Sequence, residues 1–124
     1  ELPAGDREWY GEARRGFEEL LSLQRKTRAK FEAGEADNLS NQARVERMAA
    51  RLEADNTRPE LLPLLHSLKG ALEHEAVCLR RVIESEERSA ETARDMLRAL
   101  ARSEVRTMQL GELEEEEEGG EEEV

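Results

Sequence analysis

The sequence predicts an all-α protein, an antiparallel helical bundle or coiled coil of three helices in which the third is long. Two observations carry this. Charged residues make up 40% of the 124 residues and aromatics only 3%, and the body is rich in Ala, Leu, Glu and Arg, the composition of long helices and coiled coils. Apolar side chains also recur at alternating steps of three and four, which gathers them on one helical face. Strand-forming residues are sparse.

The first helix is expected over residues 6–33. Asp6 suits its N-cap and places acid at the positive end of the dipole. Its face is Tyr10, Ala13, Phe17, Leu20, Gln24, Thr27 and Phe31, widened by Leu21. Arg25, Lys26, Arg28 and Lys30 fall in the closing turns, where cations suit the dipole, and Gly34 supplies a stop. Gly11 and Gly16 lie inside this helix, where each costs about 1 kcal/mol relative to Ala. Close approach by another helix, or fraying near the start, accounts for them equally well. Residues 34–39 read as a loop. A short second helix follows over 40–54, capped by Ser40 or Asn38, with Val45, Met48, Ala49 and Leu52 on its face and Asp55-Asn56 at its end.

Thr57-Arg58-Pro59-Glu60 has the form of a capping box. Pro59 fits a first turn, and Pro63 delays the regular helix to about residue 63. The long face then runs through Leu61, Leu65, Leu68, Leu72, Ala76, Leu79 and Ile83. It fades over residues 84–89 and resumes at Ala90, Ala93, Met96, Leu97, Leu100 and Met108. No Gly or Pro stands between Gly70 and Gly111, so a continuous helix over about 58–110 is expected. The alternative is a compact four-helix bundle broken near Ser85–Ser89.

Residues 1–111 are therefore read as one helical domain and 112–124 as a disordered acidic tail. Glu112, Glu114–Glu118 and Glu121–Glu123 hold nine of the 30 acidic residues. Without them 21 acids face 19 bases, so the net charge falls from −11 to −2. Such a run repels itself and has nothing to bury.

Cys78 is the one cysteine, so an internal disulfide is impossible and a reducing compartment is expected. No apolar run approaches the roughly 20 residues that span a bilayer, and no signal peptide is evident. A cytoplasmic or nuclear location is the expectation. The chain opens on Glu1 rather than Met, which suggests a segment of a longer protein. His74 and Cys78 sit side by side at i, i+4, with His66 on the same helix, but zinc needs four ligands and a second pair is missing. No nucleophile elbow, phosphate loop or zincin motif occurs. The chain is thus expected to be no enzyme and to hold no metal or cofactor. Nucleic acid is disfavoured by the negative charge and by the lack of aromatics among the arginines.

The functional expectation is a scaffold or adaptor subunit of a larger assembly, cytoskeletal or trafficking in kind, that joins a protein partner or its own copies by helix packing. Leu79, Ile83, Ala93, Leu97 and Leu100 are the expected association residues. Arg94, Arg98, Arg102 and Arg106, spaced by four, form a basic row that could dock an acidic surface. The alternative is an acidic binder of basic proteins, of the histone-chaperone kind, working through the Glu-rich tail.

Overall fold

The computed structural model describes the backbone of residues 2–122 and the side chains of 2–117. Two helices account for nearly all of it: α1, Ala4–Asp55, and α2, Leu62–Glu122, joined through a 3-10 turn at Pro59–Leu61. No strand occurs among the described residues. The all-α expectation holds, but the helix count differs.

The expected break at Gly34 is absent, and α1 runs through it. The half-buried and buried positions explain why. Phe17, Leu21, Gln24, Arg28, Phe31, Glu35, Asn38, Gln42, Val45, Ala49 and Leu52 are all at least partly covered, and they follow one another by threes and fours without interruption. The seam crosses residues 34–39 on Glu35 and Asn38, polar residues that a count of apolar ones passes over. Gly34 does not have positive φ, so the left-handed backbone of a glycine stop is not used. A Cβ built on Gly34 would meet Leu79 Cδ2 at 3.8 Å, an ordinary van der Waals contact.

α1 does end where the local chemistry says. Asn56 adopts φ 50°, and its N–H donates to the Leu52 carbonyl at 2.9 Å, a left-handed cap that Asn tolerates. The capping box does not form. Arg58 is the cap of the 3-10 turn, with no side-chain cap bond, because Thr57 lies one residue too early. Pro59 opens that turn, and regular α-helix begins at Leu62, as Pro63 in its first turn allows.

α2 is continuous through 84–89, so the four-helix alternative does not occur. Its covered residues again step by threes and fours: Leu72, Ala76, Leu79, Ile83, Glu86, Ala90, Ala93, Leu97 and Leu100. The apparent fading is one polar seam residue, Glu86. α2 extends to Glu122, so residues 112–122 of the expected acidic tail continue its helical backbone. Glu is a good helix former, and Glu112–Glu117 are exposed, where water screens their mutual repulsion. Residues 123–124 of the expected tail lie outside the described residues.

The chain divides into two compact units, Glu1–Gln24 with Ser89–Val124, and Arg25–Arg88. In the second, ion pairs fix an antiparallel register. Lys69 meets Glu46 at 2.9 Å, Arg80 meets Glu35 at 2.8 Å, and Arg28 meets Glu87 at 4.0 Å. Eleven residues from Glu46 back to Glu35 match eleven from Lys69 to Arg80, and seven from Glu35 to Arg28 match seven from Arg80 to Glu87. Inside this frame Asn38 is 1% exposed. Its Nδ2 donates to the Leu72 carbonyl and to Glu75 Oε1, both at 2.9 Å, and its Oδ1 accepts from Gln42 Nε2 at 2.7 Å. A buried polar side chain so partnered specifies register at some cost in stability.

In the first unit the Tyr10 hydroxyl hydrogen-bonds with Ser103 Oγ at 2.7 Å and Thr107 Oγ1 at 3.2 Å. Arg14 pairs with Glu104. Leu2, Tyr10, Ala90 and Ala93 are its buried apolar residues. Gln24 Oε1 is buried with no hydrogen-bond partner.

Two outcomes follow from this packing. Gly34→Ala gains helix propensity and an uncramped contact, so it should raise stability by about 1 kcal/mol in urea unfolding; a loss would restore the glycine stop. Glu35 has its pKa lowered chiefly by the hydrogen bond from Arg80. A carboxylate depressed in the folded state adds stability above its unfolded pKa, and that stability is lost as pH falls through its folded pKa. The acid limb of the melting temperature should therefore be shallower in Glu35→Gln than in the wild type, while the two respond alike to pH changes around neutrality.

Candidate protein-interaction surfaces

Helix pairing through one seam leaves the rest of each helix outward. On α2 the residue immediately before each seam position defines a second row, one step around the helix. In the Arg25–Arg88 unit this row is Leu61, Leu64, Leu68, Ala71, Glu75, Cys78, Val82 and Ser85. In the other unit it is Ser89, Thr92, Met96, Ala99, Ser103, Arg106, Leu110 and Leu113. Only Glu75 and Arg106 are charged. A row this poor in charge has the pattern of a buried helix stripe. Yet Leu64 is 66% exposed, and Leu68, Met96, Leu110 and Leu113 are exposed too.

α1 carries the matching row, again one residue before its seam. In the first unit this is Trp9, Ala13, Gly16, Leu20 and Leu23, with no charge at all. Trp9, Leu20 and Leu23 are exposed, Leu23 at 61%. Trp9 leans edge-on against Tyr10, centroids 5.0 Å apart at 83°, so its ring is held in place while its outer face meets water. In an antiparallel pair, rows that precede the seam on both helices fall on the same side of the pair. The first unit thus presents one broad face whose α1 row is uncharged and whose α2 row carries a single charge, Arg106. In the second unit the α1 row is instead Lys30, Gly34, Asp37, Asn41, Arg44, Met48 and Arg51, largely polar. A shallow groove there is lined by Arg44, Arg47, Met48 and Arg51.

The association residues expected from sequence occupy the first seam. Ile83 and Ala93 are buried, and Leu79, Leu97 and Leu100 are half-buried. Each lies inside one unit, Leu79 and Ile83 in one and Ala93, Leu97 and Leu100 in the other. Sequence reading merges Leu61, Leu68 and Met96 of this second row with the seam, because the row's other members include Ser, Thr and Cys. Steps of seven along α2 separate it: Leu61, Leu68, Glu75, Val82, Ser89, Met96, Ser103 and Leu110.

Arg94, Arg98, Arg102 and Arg106 are all exposed, and Arg98 pairs with Asp95 on the same helix. Arg102 and Arg106 border an open groove with Ala101, Val105 and Gln109. The row is available to an anion but does not enclose one. His74 Nε2 and Cys78 Sγ stand 3.7 Å apart on an exposed face. Among the described residues no group of three or more His, Cys, Asp or Glu is arranged to hold a metal ion, and no helix is long and apolar enough to cross a membrane.

The fold has no match to carry a function across. No family model matches the chain, and no curated protein and no solved structure is significantly similar to it.

The two rows are separable by neighbouring substitutions. Leu97→Asp puts a charge into the seam and should lower stability by roughly 2–3 kcal/mol with loss of helicity on circular dichroism at moderate temperature. Met96→Asp, one residue away on the exposed row, should leave helicity and melting temperature nearly unchanged. Equal loss in both would mean that the second row is also needed inside the fold.

Proposed function

We propose that the protein is a non-catalytic protein-interaction module, a scaffold or adaptor subunit that enters a larger assembly by helix packing. The exposed second row of α2, and above all Leu64 and Leu68 in the Arg25–Arg88 unit, is the observation that carries this reading. Large apolar side chains exposed singly are ordinary. Here they repeat along one helix with almost no charge between them, which is what a helix expecting a neighbour looks like.

In this reading the residues Leu79, Ile83, Ala93, Leu97 and Leu100 hold α2 against α1, and the row beside them accepts the partner. The partner surface is an amphipathic helix with its own apolar positions spaced by threes and fours. Arg94, Arg98, Arg102 and Arg106 form a basic rim that favours acidic residues at the partner's edge, tuning the rate of encounter more than the affinity.

A photo-crosslinking amino acid placed at residue 68 should join the full chain to a discrete partner in cells, while the same group at residue 81, on another face of the helix, should not. If both positions crosslink alike, or residue 68 yields nothing, α2 does not use this row for docking.

A further inference from the structure

We infer that the uncharged α1 row of the first unit is the centre of a self-interface, on which a second copy of this chain docks antiparallel with the two α1 helices crossing at Gly16. The inference rests on the reading of the protein as a helix-packing module and gives this one face its occupant.

Three observations lead to it. The first is the absence of charge. From Trp9 through Ala13, Gly16 and Leu20 to Leu23, every residue of the α1 row is apolar or glycine. A partner that met this face with charged groups would have to desolvate them without compensation. The chain itself offers a matching uncharged face of the same length and curvature, which is this face again. A surface complementary to itself forms an isologous two-fold contact.

The second is the order of sizes. Counted from Gly16, the row has Ala13 three residues before and Leu20 four after, Trp9 seven before and Leu23 seven after. Laid antiparallel on its own copy about Gly16, the row sets each Leu20 over Ala13 of the second copy and each Trp9 beside Leu23 of the second copy. Large meets small, and the two largest groups share the ends. Two glycines meet at the centre, where the lack of side chains lets the backbones approach closely. Nothing within this chain lies within 4 Å of a Cβ built on Gly16, so the glycine is not explained by packing inside the unit, although it costs about 1 kcal/mol of helix propensity relative to Ala.

The third is direction. Asp6 precedes the row, and Arg25 and Lys26 follow it. An antiparallel arrangement sets the acidic end of one α1 near the basic end of the other, whereas a parallel one sets like on like. Exposed Met96, Leu110 and Leu113 on the same side of α2 widen the patch around Arg106, the one charge in that row.

The test is the mass of the full chain by sedimentation equilibrium over a wide concentration range. A reversible species of twice 14.1 kDa is expected. Gly16→Leu should weaken it at least tenfold while leaving helicity equal or higher, because the residue meets open space in the single chain and gains helix propensity. In a Cys78→Ser background, Gly16→Cys should form an intermolecular disulfide under mild oxidation, and Arg15→Cys should not. A chain that stays monomeric throughout overturns the proposal. So does a dimer indifferent to Gly16→Leu, or one that crosslinks no better through residue 16 than through residue 15. None of these results touches crosslinking from residue 68, which reports on the other unit and tests the module reading by itself.

Discussion

Everything in the Arg25–Arg88 unit depends on one antiparallel register. A seam of apolar residues spaced by threes and fours does not choose a register by itself, since a slip of seven residues returns an equivalent pattern. The charges choose. In the observed alignment Glu35 faces Arg80 and Arg28 faces Glu87. A slip of one heptad in either direction would set Glu35 against Glu73 or Glu87, and Arg28 against Arg80 or Arg94. Both slips pair like with like. The individual exposed ion pairs are worth little, but the difference between attraction here and repulsion in each neighbouring register is what selects the fold. Asn38 adds to this, because its partners Leu72, Glu75 and Gln42 converge only in the one alignment.

That solution leaves the seam thin. Polar or charged residues occupy many of its positions on α1, among them Gln24, Arg28, Glu35, Asn38 and Gln42, and alanines occupy others on α2. Small seam residues let two helices approach closely but remove little apolar surface from water. Further large apolar groups stand outside the seam, among them Trp9, Leu20, Leu23, Leu64 and Leu68. In the Arg25–Arg88 unit the helices thus have a fixed register and few fully buried apolar residues.

The sequence makes some of this legible and hides the rest for identifiable reasons. Short-range chemistry reads well: the end of α1 at Asp55-Asn56, the delayed start of α2 behind Pro63, and the unbroken run between Gly70 and Gly111. Gly34 misleads, because a glycine stop and a glycine inside a helix look the same until φ is known, and here φ is not positive. Glu35, Asn38 and Glu86 conceal continuity in the same way. Each is a seam residue whose polarity reads as a loop unless its partner on the other helix is known. The thin interface at the first seam was legible as residues but not as roles: Leu79, Ile83, Ala93, Leu97 and Leu100 stand out as apolar, while nothing local says that α1 of the same chain covers them.

Gln24 shows how far the compromise between register and stability goes. Its Oε1 is buried without a hydrogen-bond partner, and the residue lies half-buried in the seam of α1. An unsatisfied buried acceptor costs on the order of 1–3 kcal/mol, a large share for a pair of helices whose buried apolar residues are so few. A leucine would fill the same space more stably, yet it would also remove one of the polar marks that interrupt an otherwise repetitive seam. Gln24 follows directly on Leu23, the last residue of the exposed α1 row of the first unit. The polar mark that interrupts the seam thus stands beside the longest uncharged stretch of that row.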